Sequence, residues 1–240
     1  TALILVFASI VIGLPVFLVK TWLDIRPVAE TTNQPQPIVK PKPVKEYKVV
    51  AIGDIACAPP VVVTDKTCQM EAVANALTNA KPDAVLLLGD IQYEKGELEA
   101  YKAVFDKYYG ALTPKIYPVP GNHEYGTPDA GGYFAYWQEK QKTVGSSSQG
   151  FYDFALGNWK IYALNSNCEK IGGCNAESPQ GKWLKSELDA SKATCSIAFW
   201  HHPVFSSGNY KNDKATLGRV QYFWDILADS KTDIVLNGHD

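Results

Sequence analysis

Six short apolar runs of this sequence end in polar residues of the kind that bind metal ions. Carboxylate, amide and imidazole groups are common metal ligands in proteins. If each run is a strand of one α/β sheet, the strand ends converge along one rim, where such folds place their ligands. The sequence therefore predicts a metal-dependent enzyme. The runs end at Asp54, Asp90, His123, Asn167, His202 and Asp240.

Two of these ends share the same local sequence. Asp54 and Asp90 each follow a glycine at the end of an apolar run. A single aspartate in this position is more often a helix cap or a turn residue. The repeated context favours two carboxylates at adjacent strand ends, where they can bind a pair of metal ions.

The histidines show the same preference for strand ends. The chain has 4 histidines, and all of them follow predicted strands. His123 lies in the sequence Gly-Asn-His-Glu, which by itself could be a turn that happens to contain histidine. His201 and His202 end a second run, and His239 follows a third. Random placement would rarely give this distribution, so imidazole groups are expected at the same rim as the carboxylates.

Strands and helices alternate from residue 47 onward, which predicts an α/β fold. Helical patterns cover residues 68–80 and 97–109, and a third helix begins at Ser178-Pro179 with a cap followed by proline. The helix of residues 97–109 is expected to bury the face formed by Tyr101, Phe105 and Tyr108. The helix that begins at Ser178-Pro179 is expected to bury Trp183, Leu184 and Leu188. Gly157-Asn158 predicts a hairpin turn. The predicted strands are residues 49–52, 84–88, 116–119, 150–156, 159–164, 196–200 and 233–236.

The first 46 residues differ in composition from the rest. Residues 2–19 carry no charge, and as a helix they would rise about 27 Å, close to the thickness of a bilayer core. We expect residues 1–26 to be a transmembrane anchor, or alternatively a cleaved secretory signal. Residues 27–46 are rich in proline and are expected to form an extended linker. Both interpretations place the domain of residues 47–240 outside the cytoplasm.

Five cysteines support an oxidising compartment. Cys57 and Cys68 flank one short loop and Cys168 and Cys174 flank another, so two disulfides are expected. A metal site built from cysteines is the weaker alternative, because none has the close C-x-x-C spacing of zinc sites. Cys195 is expected to be a buried free thiol. A formal net charge of -2 gives little reason to expect nucleic acid as a partner.

The order of these motifs closely resembles that of the calcineurin-like metallophosphoesterases, and within them the purple acid phosphatases. The resemblance extends from residue 48 to the end of the chain. The sequence is similar in particular to secreted bacterial members of the family. Many metallophosphoesterases have D-x-H in the first motif, whereas Ala56 occupies the histidine position here. Purple acid phosphatases instead place a tyrosine three residues after the second aspartate, and Tyr93 is found there. The motifs are Gly53-Asp54, Gly89-Asp90-Ile91-Gln92-Tyr93, Gly121-Asn122-His123-Glu124, His201-His202-Pro203 and Gly238-His239-Asp240.

The resemblance implies a fold class and a set of metal ligands. The fold is α/β, with two mixed β-sheets packed as a sandwich and flanked by helices, incomplete at the C-terminus and preceded here by the hydrophobic helix. One ion would be Fe(III), the other a divalent ion such as Zn, Fe or Mn, with Asp90 bridging them. The family supplies one more ferric ligand at a position that would be residue 241, beyond this sequence. The ferric ligands in this chain would be Asp54, Asp90 and Tyr93, and the divalent ligands Asn122, His201 and His239.

The resemblance also implies a reaction. A metal-activated hydroxide would hydrolyse phosphate monoesters, and His123 would contact the phosphate and help to protonate the leaving oxygen. Family members often have a further histidine after H-x-P, which this chain lacks, so either His202 or Tyr210 is expected to contact substrate instead. A phosphodiesterase or nucleotidase with the same metals is the alternative. A catalytically decayed binding module is less favoured, because the ligand-type residues are all present.

Overall fold

The computed structural model describes residues 45–147 and 149–240. The predicted membrane or signal segment and nearly all of the linker lie outside these ranges and stay predictions. Within the described ranges, no helix is both long enough and apolar enough to cross a bilayer.

The first sheet has three parallel strands in the order β1-β2-β3. They are β1 (Val49–Ile52), β2 (Ala84–Leu87) and β3 (Ile116–Pro118). Every residue of β2 is buried because this central strand is covered on both faces. All three strands lie within the predicted runs, and the last two end one residue earlier than predicted.

The second sheet has four strands in the order β4-β5-β6-β7. They are β4 (Tyr152–Leu156), β5 (Trp159–Ala163), β6 (Cys195–Trp200) and β7 (Ile234–Asn237). The turn at Gly157-Asn158 joins β4 and β5 as an antiparallel pair, which confirms the predicted hairpin. The pairs β5-β6 and β6-β7 are parallel, so the carboxyl ends of three strands face one edge.

Helices occupy the connections between strands. The stretch of residues 98–109 is one continuous helical segment with a π-helical turn (Tyr101–Phe105) between two α-helical parts. Among the described residues, four 3₁₀-helical segments lie at Gly110–Lys115, Glu124–Gly126, Pro128–Ala130 and Cys168–Lys170. The α-helices are α1 (Met70–Ala80), α2 (Leu98–Ala100), α3 (Asp106–Tyr109), α4 (Gly131–Glu139), α5 (Pro179–Ala190), α6 (Lys214–Gly218) and α7 (Gln221–Asp229).

Alternate residues of the second sheet belong to two different cores. Ile197 and Phe199 of β6 join the cluster that contains Val85, Leu86 and Leu87 of β2, so this face packs against the first sheet. Ala198 and Trp200 belong to a second cluster with residues of α5 and α7. The molecule is therefore a sandwich of two sheets flanked by helices, as the family resemblance implies. The apolar runs are divided between two sheets, so the simpler hypothesis that all of them form one sheet does not hold.

The helical face formed by Tyr101 and Phe105 is buried as predicted, but the third aromatic residue of this face is not the predicted one. Tyr109 is buried, whereas Tyr108 is only half-buried. The π turn contains one more residue than an α-helical turn, which shifts the buried face by one position. In α5, Ser178 caps the helix by accepting a hydrogen bond from the Gly181 N–H, and Leu184 is the fully buried member of the predicted stripe.

Both predicted disulfides are present, Cys57–Cys68 and Cys168–Cys174. Cys195 is free, as predicted, but half-buried rather than buried. The first disulfide closes a loop that begins three residues after Asp54, and the second closes a loop after β5. Both loops lie at the carboxyl ends of parallel strands.

Candidate functional site

The loops after β1 and β2 bring Asp54 and Asp90 side by side. The parallel pairing of these strands continues past their ends through hydrogen bonds from the Asp54 N–H to the Gly89 carbonyl and from the Ile55 N–H to the Asp90 carbonyl. Both aspartates have a left-handed backbone, with φ of 57° and 47°. Aspartate is one of the few residues besides glycine that adopt this conformation readily. The backbone therefore turns each carboxylate out of its strand and toward the same rim.

His201, at the end of β6, lies at the centre of the candidate site. Its side chain is fully buried, and Nδ1 is 2.8 Å from the Leu88 carbonyl oxygen. Because a carbonyl can only accept, Nδ1 must carry the proton of this hydrogen bond. Gly89 permits the approach, since a Cβ at that position would lie 2.6 Å from His201 Nδ1. The opposite nitrogen, Nε2, therefore faces the site.

Three groups from three other loops surround His201 Nε2. Asp90 Oδ2 and Asn122 Oδ1 are each 3.2 Å away, and His239 Nδ1 is 3.0 Å away. Both oxygens are hydrogen-bond acceptors, and Nε2 of a neutral His201 would be a third acceptor. Acceptors packed so closely need a proton or a metal cation among them. The donor set thus fits a metal ion.

The pKa of His201 agrees with this interpretation. Burial alone lowers it, but the hydrogen bond and the negative charge of Asp90 raise it more, and the net pKa lies above the usual value for histidine. Burial raises the pKa of Asp90, but the hydrogen bond and positive charge of His201, together with the hydrogen bond from the His123 backbone N–H, outweigh burial and lower the pKa below its usual value. In the metal-free protein, at a pH below this raised pKa, a proton on His201 Nε2 supplies the positive charge that the surrounding acceptor oxygens need.

Tyr93 connects the two aspartates on the other side of the site. Its hydroxyl donates to Asp54 Oδ1 at 3.1 Å and lies 3.5 Å from Asp90 Oδ2. Asp90 thus contacts both the tyrosine and the histidine groups, which is the position expected of a bridging carboxylate. Burial and the charge of Asp54 raise the pKa of Tyr93 well above its usual value, so the phenol keeps its proton unless a cation replaces it.

His123 lies beside this cluster and is partly exposed. Its backbone N–H donates to Asp90 Oδ1 at 2.9 Å, and its ring Nδ1 is 2.6 Å from the Glu94 carbonyl oxygen. Nδ1 therefore donates, and Nε2 lies on the side of Asp90 Oδ2, 3.8 Å away. The ring centroid is 4.4 Å from that of Tyr93. An imidazole in this place can reach a ligand that approaches from solvent.

The two residues predicted to contact substrate lie in different surroundings. His202 is buried, with Nδ1 2.8 Å from Ser166 Oγ and Nε2 3.5 Å from an Arg219 nitrogen, so both ring nitrogens have partners. Burial and the positive charge of His201 lower its pKa to about 2. Tyr210 is only half-buried and stacks on His239, with the ring centroids 4.2 Å apart. This geometry favours Tyr210 over His202 as a substrate contact.

Within the described residues, the side chains that could hold a metal ion form two groups that share His201. One group contains Asp54, Asp90 and His201, and the other contains His201, His202 and His239. In the second group, His202 is already engaged by Ser166, while the amide oxygen of Asn122 lies directly against His201. The structure thus brings together all six predicted metal ligands. A cavity of about 490 Å³ at the amino ends of β5 and β6 lies at the opposite edge and contacts none of them.

Two buried side chains of the site had no role in the sequence-based prediction. Gln92 and Glu124 both lie in the predicted motifs, but the motifs give no indication of their contacts. Glu124 reaches groups 32 and 33 residues away in the chain, and Gln92 reaches groups up to 36 residues away. A local pattern cannot reveal contacts of this kind.

Comparisons with known proteins give a family match and several relatives. A family model described as calcineurin-like phosphoesterase matches residues 47–240. A probable cyclic nucleotide phosphodiesterase of Vesicomyosocius okutanii is 21% identical over 173 residues, which cover 71% of this chain and 67% of the relative. Purple acid phosphatase 15 of Arabidopsis thaliana is 26% identical over 197 residues, which cover 68% of this chain and 36% of the relative. The chain thus spans little more than a third of that plant enzyme.

Solved structures show the same fold. A purple acid phosphatase from yellow lupin (Lupinus luteus) seeds matches with a TM-score of 0.59 and 18% identity, covering 80% of this chain and 37% of that chain. GAP50, described as the anchor in the inner membrane complex of Plasmodium, matches with a TM-score of 0.55 and 16% identity, covering 81% of this chain and 66% of that chain.

Proposed function

We propose that this chain, which belongs to the calcineurin-like phosphoesterase family, hydrolyses phosphate monoesters with two bound metal ions, as a purple acid phosphatase-like enzyme. The observation that carries the proposal is the crowding of two acceptor oxygens, from Asp90 and Asn122, and a ring nitrogen of His239 around His201 Nε2, which a cation would relieve. The ligands would be Asp54, Asp90 and Tyr93 for Fe(III), and Asp90, Asn122, His201 and His239 for a divalent Zn, Fe or Mn ion.

The metal ions would lower the pKa of a bound water to give the nucleophile and would neutralise charge on the phosphoryl group. The chain's own side chains would position these ions. The Leu88 carbonyl fixes the tautomer of His201 and so directs Nε2 toward the site. Asp90 contacts both halves of the ligand set and sets the spacing between them.

His123 is proposed as the general acid. The Glu94 carbonyl accepts from Nδ1, so the imidazolium form holds its second proton at Nε2, on the side of Asp90. That proton would pass to the leaving oxygen of the ester. Tyr210, stacked on His239, would contact the substrate next to the divalent site.

A second candidate function uses the same site. One relative, matched over two thirds of its own length, is described as a probable cyclic nucleotide phosphodiesterase. Hydrolysis of a phosphodiester, or of a nucleotide, needs the same ions and the same nucleophile. The two candidates differ in the groups around the second ester oxygen rather than in the metal ligands.

We also propose an extracytoplasmic location, with the catalytic domain of residues 47–240 tethered by the segment of residues 1–26 or released after its cleavage. Two disulfides support an oxidising compartment. The proline-rich residues 27–46 would separate the domain from a membrane surface.

The test compares hydrolysis of an aryl phosphate monoester with that of the matching diester. Asp54→Asn should lower kcat by at least about a hundredfold, because it removes an anionic ligand from the site. Asp233→Asn is the matched control, since Asp233 is also a carboxylate at a strand end but lies at the amino end of β7, where it accepts from the Ser196 N–H. Faster diester hydrolysis would favour the second candidate, and no hydrolysis of either ester by the full-length protein would refute both.

A further inference from the structure

Gln92 and Glu124 lie fully buried beneath the candidate metal ligands. Neither side chain belongs to the proposed ligand set, yet both lie in the loops that carry it. Burying a polar side chain lowers stability unless all of its hydrogen-bonding groups find partners. The partners of these two side chains show what they do.

The Glu124 carboxylate connects the loop after β2 to the loop after β3. Oε1 accepts from two N–H groups of the first loop, and Oε2 accepts from an N–H of the second. A tyrosine hydroxyl donates to Oε1 as well. The donors are the Ile91 N–H at 2.9 Å, the Gln92 N–H at 3.2 Å, the Tyr101 hydroxyl at 3.0 Å and the Gly121 N–H at 2.7 Å. One side chain thus fixes the distance between the segments that carry Asp90 and Asn122.

The Gln92 amide connects the same segment to the loop after β1. Its nitrogen donates to the carbonyl oxygens of Cys57 at 3.0 Å and Tyr93 at 2.9 Å. Its oxygen accepts from the Phe105 N–H at 3.2 Å. The loop that carries Asp54, the loop that carries Tyr93 and the helical segment of residues 98–109 therefore meet at one amide.

The π turn of that helical segment makes both connections possible. The Asp106 N–H donates to the Tyr101 carbonyl, five residues earlier, which is the hydrogen bond of a π turn. The extra residue leaves the Phe105 N–H available to Gln92. Tyr101, the first residue of the turn, donates its hydroxyl to Glu124. The helical segment of residues 98–109 thus forms a hydrogen bond with each of the two buried side chains.

We infer that Gln92 and Glu124 are positioning residues that hold the three ligand loops in metal-binding geometry before metal arrives. The inference rests on the proposed function, because it assumes that the rim binds metal. Without these hydrogen bonds the loops would have to be ordered by the metal itself, and affinity would fall. Loss of outer contacts that orient metal ligands typically weakens metal binding about 10- to 100-fold.

The test measures Zn²⁺ affinity of the full-length protein by competition with a chromophoric chelator. Gln92→Met keeps the side chain's length and removes its hydrogen bonds, and Glu124→Gln turns one acceptor into a donor. Each should weaken Zn²⁺ binding about 10- to 100-fold. Gln180→Met is the matched control, because Gln180 is equally buried but exchanges hydrogen bonds with the backbone of Asn165 instead. It should lower stability and change Zn²⁺ affinity less than about threefold.

A milder pair covers the case in which these variants do not fold. Tyr101→Phe removes one of the four donors to Glu124 and keeps the ring packed. It should weaken Zn²⁺ binding about 2- to 10-fold. Tyr133→Phe removes an equally buried hydroxyl, which donates to the Pro118 carbonyl, and should leave the affinity unchanged.

The fold of each variant is followed in parallel by urea unfolding in the presence of a chelator. Wild-type affinity in Gln92→Met and Glu124→Gln, at a stability no higher than that of Gln180→Met, would overturn this inference and leave the proposed function intact. A wild-type protein that binds no Zn²⁺ would overturn the proposed function and the inference with it.

Discussion

At the residue scale, the site is defined by which nitrogen or oxygen each side chain presents. His201 uses Nδ1 for a backbone carbonyl and turns Nε2 toward Asp90, Asn122 and His239. His202, next in the chain, uses both nitrogens for protein partners. Adjacent residues of the same type thus have different tasks, and only their surroundings distinguish them.

Tyr93 gives a prediction that concerns the identity of the metal. A phenolate bound to Fe(III) absorbs visible light, and Tyr93→Phe removes only the oxygen that contacts Asp54 and Asp90. We expect the iron-loaded protein to be coloured and the variant to lose the visible band while keeping most of its metal. An absorption spectrum with metal analysis checks this. An unchanged band in Tyr93→Phe would exclude this tyrosine as the ferric ligand.

The histidines predict a loss of stability at acidic pH in the metal-free protein. Burial and the charge of His201 lower the pKa of His202 to about 2 and that of His239 to about 4. Unfolded histidines titrate near 6.5, so between these values the unfolded chain binds more protons and stability falls as pH falls. His201, whose pKa is raised, acts in the opposite direction: its contribution is present below about pH 6.5 and is lost above its folded pKa.

Below about pH 6.5 His201 is protonated in both states, so His202 and His239 set the histidine contribution, and we expect the free energy of unfolding to decrease from pH 6.5 to about pH 5. The raised pKa values of Asp54 and Glu124 act in the opposite direction as the pH approaches the carboxyl range. His202→Asn should remove the uptake of about one proton on unfolding. The slope of the free energy of unfolding against pH should therefore fall by roughly 1.4 kcal/mol per pH unit. Urea unfolding in a chelator at several pH values measures the slope. Equal slopes for the two proteins would show that His202 is not the group responsible.

At the element scale, the ligands depend on turns that allow backbone segments to approach closely. Gly121 lies against Asp90, and a Cβ there would be 2.1 Å from Asp90 Oδ1 and 2.4 Å from the Asp90 nitrogen. The Gly121 N–H also donates to Glu124. The loops after β2 and β3 can approach each other only while this position has no side chain.

Gly121→Ala should therefore disturb the site more than a typical glycine substitution. We expect at least a tenfold loss of metal affinity and a loss of stability of about 1–3 kcal/mol from overpacking. Gly131→Ala is the control, because a Cβ at the start of α4 meets no atom within 4 Å, and it should change stability by less than about 1 kcal/mol. Calorimetric metal titration and thermal unfolding of both variants test this, and equal effects would refute the packing account.

Sequence patterns predicted the strands well, because short apolar runs bounded by glycine and polar residues leave few choices for their ends. They could not divide the strands between two sheets, because an apolar run does not indicate which strand it pairs with. The division into two sheets came from the family resemblance. The 3.6-residue period predicted Tyr108 in the core, and the π turn moved Tyr109 there instead. Gln92 and Glu124 were missed because their partners lie far away in the chain.

At the scale of the whole molecule, the fold alone does not establish an activity. The fold is shared with a purple acid phosphatase from lupin and with GAP50, which is described as an anchor. What favours catalysis here is that all six ligands predicted within this chain lie at one rim, contributed by both sheets. The metal ions would connect the loops of the two sheets, so binding should also stabilise the fold by about 4 kcal/mol when free metal exceeds Kd a thousandfold.

The most direct test is the metal content of the full-length protein measured together with its hydrolysis of an aryl phosphate, before and after treatment with a chelator. The account predicts two metal ions per chain, loss of activity when they are removed, and recovery when they are restored. His201→Ala should bind no more than one ion and show no activity, because His201 lies at the centre of the ligand set. Activity that persists without metal, or unchanged metal content in His201→Ala, would contradict the account.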